Sequence, residues 1–317
     1  MAANWMRRTV VVAACASAAL LAACGSSTTE SAISPQRFIA FGDALSDVGQ
    51  NGSRYTVNDG SVNNWTLQVA ASYGKPLAAA SAGGLSYAVG NARVSAKPDA
   101  AGNAASPTVT EQISTFLASG NFTGNDVVFI TGGASDVIAG MAAVNAGTQT
   151  EAQMTAAARK AGEDLAAQVR RLVNAGAKYV VVTGTYDLGK TPWAKAIARE
   201  SLLSTASSRF NEGLLVNTVD LGANVLYVDL AYYVNLYTST PGNFGFSNAT
   251  AAVCTSVDAG NGIGIGAGQL NSLLCTGSTL LPNANPAAYV FADSVYLTPS
   301  AQRQFGTYAY NRLRARW

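Results

Sequence analysis

The sequence predicts an α/β domain built on a mainly parallel sheet with helices packed on both faces. Short apolar runs bounded by Gly or Asp alternate with stretches of helical spacing, and this alternation continues from residue 38 to the C-terminal segment without an internal repeat. Residues 38–41 end at Gly42 and read as a buried strand. Residues 64–73 set Trp65, Val69 and Ala70 on one helical side. Residues 127–131 read as a second buried strand between Asp126 and Gly132. Residues 152–174 carry Leu165, Val169, Leu172 and Val173 at intervals of three and four, an amphipathic helix that Gly176 stops. A β-branched strand follows at 179–183, then a helix at 201–221 and a strand at 225–229. Residues 238–286 read as an irregular insertion. A last helix spans 299–314, with Pro299 in its first turn. Ligands of such sheets bind beyond the carboxyl ends of the strands, so the residues after each strand are the ones to read for function.

The first residues read as an export signal. Arg7 and Arg8 precede an apolar run at 10–22 that is short for a membrane span. The run ends in Leu21-Ala22-Ala23-Cys24-Gly25, which resembles a bacterial lipobox. That resemblance implies a signal peptide at 1–23, cleavage before Cys24 and acylation of Cys24. Acyl chains anchor by burying methylenes, at about 0.8 kcal/mol each. The other reading is an ordinary signal peptide with a chance cysteine. Residues 24–36, rich in Ser, Thr and Ala, have the composition of a flexible tether. By the same resemblance, Gly25 and Ser26 point to the outer rather than the inner membrane of a bacterial envelope. The domain proper is expected at 37–317.

Composition limits the function classes. The chain has 20 basic and 18 acidic side chains and no histidine. Removing the leader takes Arg7 and Arg8 and leaves a balance of zero, with no basic stripe along the sequence, which argues against a nucleic-acid partner. Of the four cysteines, Cys15 leaves with the leader and Cys24 would carry lipid. Cys254 and Cys275 remain; in an oxidising compartment they are expected to form a disulfide, two buried free thiols being the alternative. Without histidine or a thiolate cluster, no metal or cofactor is expected. The glycine-rich run at 260–268 lacks a following Lys-Ser/Thr and reads as a flexible lid rather than a phosphate cradle.

Four segments fall where ligands of such a sheet would lie. They are Phe41-Gly42-Asp43-Ala44-Leu45-Ser46-Asp47, Leu85-Ser86-Tyr87-Ala88-Val89-Gly90-Asn91, Ile130-Thr131-Gly132-Gly133-Ala134-Ser135-Asp136 and Asp293-Ser294-Val295-Tyr296. In this order, over most of the chain, they resemble the conserved blocks of the SGNH/GDSL esterases. The resemblance implies the flavodoxin-like three-layer sandwich of those hydrolases and an ester-hydrolysing ancestry.

The family's catalytic side chains are largely absent. Ala44 stands where the family has its serine nucleophile. Ser135 stands where an asparagine donates to the oxyanion hole. Asp293 matches the aspartate, but Tyr296 stands where the histidine base belongs. A phenol with an ordinary pKa near 10 is a poor base at neutral pH. The oxyanion glycine matches Gly90, with Asn91 the neighbouring register. Since the chain has no histidine at all, every Ser-His or Cys-His mechanism is excluded. In subtilisin, losing the nucleophile or the histidine alone costs about a millionfold. Asp43, Ser46 and Asp136 are the remaining polar candidates for a pocket. Asp43, Asp136 and Asp293 would have to converge to act as paired carboxylates, and turn-capping is the plainer role for the first two.

Three functions compete. The first is a catalytically silent, membrane-anchored lipoprotein that holds a lipid, acyl-ester or glycan ligand. The second is an esterase working by an altered mechanism. The third is a surface or scaffold lipoprotein that uses the fold as a platform for the 238–286 loop. The alignment of the blocks requires Tyr296 to lie near both Ala44 and Asp293.

Overall fold

A computed structural model describes residues 33–317; the leader and Cys24 lie outside the described residues. The centre is a four-stranded parallel sheet in the order β1 (Arg37–Phe41), β2 (Asp126–Thr131), β3 (Tyr179–Thr183), β4 (Val225–Tyr227). Residues 85–87 extend it beyond β1. The Ala40 N–H donates to the Leu85 carbonyl at 3.1 Å, and the Tyr87 N–H donates to the Ala40 carbonyl at 2.7 Å. The spatial order is thus that of a doubly wound sheet, whose order of connection reverses between β1 and β2 while the strands stay parallel. All six residues of β2 are buried, as an inner strand covered on both faces requires.

Alternation along β1 assigns the helices to faces. Phe38 stacks on Phe129, and Trp65 meets Phe129 edge-on at 5.1 Å and Phe305 at 5.4 Å. That face carries α1 (Trp65–Ser72) and the C-terminal helix. Phe41 points the other way, toward Phe116 in α2 (Val109–Ser119). With α2 lie α3 (Ala134–Asn145) and α4 (Glu151–Asn174). After β3 come the short α5 (Pro192–Ala196) and the long α6 (Glu200–Val216), which packs along α4; α7 (Leu230–Ser239) follows β4, and α8 (Pro299–Arg316) closes the fold. Sequence periodicity does not reveal α2, α3 or α7. In α2 the usable signal is the capping box, Thr108 with Glu111, present in the structure on both sides. The expected 201–221 helix ends at Val216 and restarts as a 3-10 turn at Val219–Leu221.

Two expectations need correction. The tether does not extend to residue 36: Ile33 is buried, its N–H donates to the Trp317 carbonyl at 3.3 Å, and Gln36 bonds to Asn125. Nor is the 238–286 segment irregular throughout. Strand β5 (Asn248–Ala252) pairs with β8 (Tyr289–Phe291), and β6 (Val257–Asp258) pairs with β7 (Gln269–Leu270). The Cys254–Cys275 disulfide ties this layer together, with Val57, Val253 and Ala292 packed around it as a small second core.

Helices α4 and α6 touch backbone to backbone. A Cβ on Gly162 would lie 2.0 Å from the Phe210 carbonyl oxygen, and one on Gly213 would lie 2.2 Å from that of Arg159. Gly→Ala inside a helix normally gains about 1 kcal/mol. Here the two helices must separate, and overpacking of this kind costs about 1–3 kcal/mol. Gly162→Ala is therefore expected to lower stability in urea unfolding; a rise would show that the helices part without strain. Replacing Cys254 and Cys275 by serine opens a 21-residue separation and is expected to cost about 3 kcal/mol in the same measurement.

Candidate functional site

The switch point is built from the ends of β1 and β2. Gly42 sits so close to Thr131 that a Cβ on it would fall 2.0 Å from the Thr131 Oγ1, in a backbone conformation (φ +149°) that disfavours any side chain. Gln112 of α2 grips the same glycine from both sides, accepting from its N–H at 2.8 Å and donating to its carbonyl at 2.9 Å. Beyond it the chain makes a tight turn, with the N–H groups of Ser46 and Asp47 both donating to the Asp43 carbonyl at 3.0 Å. Ala44 lies in this turn and is 1% exposed. Ser46 is fully buried, and the Thr131 hydroxyl donates to its Oγ at 3.0 Å.

Asp43 and Ser46 are therefore corrected as pocket candidates: both are consumed in building the turn. The Asp43 carboxylate accepts the Leu45 N–H at 3.1 Å and faces the Ser135 amide at the start of α3. Gly133 caps that helix with no side-chain hydrogen bond, so Asp43 supplies the negative group that its N-terminus attracts. Burial pushes the Asp43 carboxyl up to about 6, against the pull of these amides. Asp136, one residue on, accepts from the Val94 N–H at 3.1 Å and pairs with the Arg93 Nε at 3.5 Å; burial holds it too at about 6. It lines a groove of about 280 Å³ with Arg93, Lys160 and Asp164, apart from the buried turn.

The Ser135 side chain is fully buried, and its Oγ has no hydrogen-bond partner. Asp293 is equally buried. Its carboxylate is filled by amides, those of Val295 and Tyr296 at 2.7 and 2.6 Å on Oδ1 and that of Ser272 at 2.8 Å on Oδ2. Burial raises its pKa. Instead of orienting a base, Asp293 joins the turn before α8 to the disulfide layer. Asp293 is thus bonded to the Tyr296 backbone, while the Tyr296 ring packs edge-on against Tyr55 at 5.3 Å. Its phenol, 1% exposed, has no hydrogen-bond partner. Desolvation first, and the nearby Asp43 carboxylate second, hold it well above the ordinary range. A group so held stays neutral and cannot serve as a base.

Four contributors escaped the sequence reading. Asp47 is the main one: its Oδ1 accepts from Gly49 and Gln50, and its Oδ2 accepts the Gly90 N–H at 2.8 Å. The Gly90 amide is thereby occupied. Asp-x-Gly at 47–49 is the Asx-turn signal that could have marked it. Tyr55 presses on Gly90, where a Cβ would lie 2.0 Å from its ring. Tyr186 is buried and donates to the Val295 carbonyl at 2.6 Å, and Ser272 meets Asp293; these three carry no local sequence signal.

What stays open is a pocket beside the buried cluster, about 480 Å³, lined by Gln50, Asn51, Tyr55, Gly90, Asn91 and Asp99 among others. Asn91 takes a left-handed conformation (φ 63°), donates to the Gly262 carbonyl at 2.7 Å and leaves its Oδ1 without a partner. The 260–268 run is not a free lid. Ile263 is buried, Asn261 donates to the Ala101 carbonyl at 3.1 Å, and the Gly264 backbone presses on that of Ala100. No group of three or more His, Cys, Asp or Glu suited to a metal occurs among the described residues.

The family model for GDSL-like Lipase/Acylhydrolase matches residues 38–308, from β1 into α8. The chain is 34% identical over 149 residues to the GDSL esterase/lipase LTL1 of Arabidopsis thaliana, covering 43% of this chain and 37% of that protein. It is 30% identical over 142 residues to Esterase EstA of Pseudomonas aeruginosa, covering 44% and 20%. An uncharacterized protein of the trpE-trpG intergenic region in Pseudomonas putida is 28% identical over 193 residues, covering 61% and 29%. The chain thus spans well under half the length of each of these relatives. Taken with the parallel sheet and the ordered blocks at its carboxyl ends, the match places this chain in the GDSL-like lipase/acylhydrolase family.

Proposed function

We propose that this chain is an exported lipoprotein, anchored through Cys24 in the bacterial outer membrane, whose GDSL-type domain holds a ligand without hydrolysing it. One observation carries the reading. The chain has no histidine, and Ala44, Ser135 and Tyr296 fill the nucleophile, amide-donor and base positions, each at most 1% exposed. A substrate carbonyl therefore meets neither nucleophile nor base, and the Gly90 amide that would steady an oxyanion is spent on Asp47. The ligand site is the adjacent pocket. Amides, a carboxylate and one aromatic ring suit a hydroxyl-rich glycan better than an acyl chain, which needs apolar walls.

Asp43 and Asp136 bear on the rival reading of an altered esterase, since both carboxyls stand at about 6. Their bonding to the Leu45, Ser135 and Val94 amides and to Arg93 accounts for them as supports of the turn and of α3. Each then stabilises the fold in a defined pH window. A carboxyl at about 6 when folded and near 3.8 when unfolded binds its proton more tightly in the folded state. Its contribution to stability therefore rises as pH falls from 7 through 6 and levels off below about 4.

Purified mature chain should hydrolyse p-nitrophenyl esters no faster than buffer alone, whereas Ala44→Ser combined with Tyr296→His should gain measurable turnover. Hydrolysis by the native chain well above an unfolded control would sink the silent reading. In urea unfolding, the native chain should gain about 1 kcal/mol more than Asp43→Asn between pH 7 and pH 5. Parallel pH profiles of the two would show that Asp43 does not take up the proton.

A further inference from the structure

Basic side chains outnumber acidic ones at one end of the domain. At the base, where the strands begin and the helices end, lie Lys75, Arg170, Lys178, Arg312, Arg314 and Arg316, with Arg37 and Arg171 beside them. The acids at that end are Asp126 and Asp220. Asp126 is bonded to Arg37 and Asp220 to Arg170. Most of the remaining acids, Asp99, Glu151, Asp187, Glu200 and Asp258 among them, lie toward the cleft end or on the flanks. The other ten basic side chains of the domain, Arg54, Arg93 and Arg199 among them, lie with these acids, so the base carries a local basic excess that a balance read along the sequence conceals.

The same end exposes apolar side chains. Leu215, Val216 and Val219, where α6 runs out into the turn before β4, are 41%, 58% and 79% exposed. Arg316 donates to the Gly222 carbonyl in that turn, and Trp317 packs on Tyr179 at 5.1 Å at the start of β3. The described chain also begins here, with Ile33 bonded to Trp317. From Cys24 to Ile33 the chain reaches at most about 30 Å when fully extended. Helix α4, with 24 residues, is about 36 Å long and runs from the cleft end to the base. An anchor at Cys24 thus holds the base near the bilayer and is too short to turn the cleft rim onto it.

We infer that the base is a membrane-docking face: the basic side chains meet anionic phospholipid headgroups, and Val216 and Val219 enter the interface. The inference rests on the anchored-lipoprotein reading for its orientation. It turns the pocket beside Gly90 away from the membrane, toward a ligand taken from the aqueous side. Attraction of this kind gains about fivefold in binding per basic side chain near the surface and weakens as salt rises.

The test uses the mature chain carrying Cys24→Ser, so that no acyl group contributes. It should sediment with vesicles of equimolar phosphatidylcholine and phosphatidylglycerol at low salt and stay in solution with phosphatidylcholine alone. Lys178→Glu combined with Arg316→Glu should weaken binding by at least about tenfold, and Val216→Ser with Val219→Ser should weaken it at unchanged charge. Absence of binding to the anionic vesicles, or binding indifferent to both pairs of substitutions, would overturn the docking face. Binding to a soluble polyanion that equals vesicle binding and ignores the valine substitutions would overturn it in favour of that partner class. Mass spectrometry of the wild-type mature chain reads the anchor separately: an unmodified Cys24 would remove the orientation, whatever the vesicles show.

Discussion

The close approach of Gly42 to Thr131 is the contact on which the rest of the site depends. It brings the end of β1 against the end of β2 with no side chain between them, and Gln112 fixes the glycine by binding both of its peptide groups. From that pivot the turn can leave the sheet in only one direction. Asp43 is delivered to the start of α3, Ser46 to Thr131, and Asp47 to the Gly90 amide. One turn thus joins the second and third sequence blocks, and Asp293 ties the fourth to the disulfide layer. Any side chain at position 42 would push these joints apart together.

On the reading proposed above, this accounts for a frame kept without the family's catalytic side chains. A nucleophile or base makes few backbone contacts, so on that reading Ala44 and Tyr296 can stand in those places without remaking the turns. The aspartates are different. Asp43, Asp47 and Asp293 are buried, and each accepts backbone amides. Removing such an acceptor strands amides away from water, at about 1–3 kcal/mol for each group left unpaired. Stability alone is then sufficient to retain the Gly-Asp and Asp-x-x signatures while the residues between them change. Family membership is compatible on this ground with Ala44, Ser135 and Tyr296 at the positions that resemble the family's catalytic ones.

The elements legible in the sequence were those with a one-dimensional signal. The strands at 179–183 and the long helix ending at Asn174 follow from β-branching and from three-four spacing. By contrast, α3 is apolar around most of its circumference because sheet and helices enclose it, so periodicity cannot mark it. The pairing of β5 with β8 joins segments about forty residues apart and has no local trace. At the site, the absence of histidine could be read directly, because absence needs no geometry. The packing around Gly90 and Tyr296 could not: Tyr55 reaches both from a loop of ordinary composition. The basic excess at the base was hidden for the same reason, since ends of helices distant in the chain share one end of the fold.

At Tyr296 burial and an unmet hydrogen bond pull in opposite directions. Its phenol is buried without a hydrogen-bond partner, a cost of about 1–3 kcal/mol. Its ring is fully covered and lies against Tyr55. At about 25 cal/mol per Å² over the 150 Å² or more that a tyrosine buries, the covering contributes about 4 kcal/mol. Burial therefore outweighs the orphaned hydroxyl, and the ring is a net stabilising plug. A smaller residue in its place would leave a void against Tyr55 and cost stability. Beside the ring lies the pocket lined by Tyr55, Gly90 and Asn91. Tyr296 thus backs Tyr55, the ring that presses on Gly90 and lines the adjoining pocket.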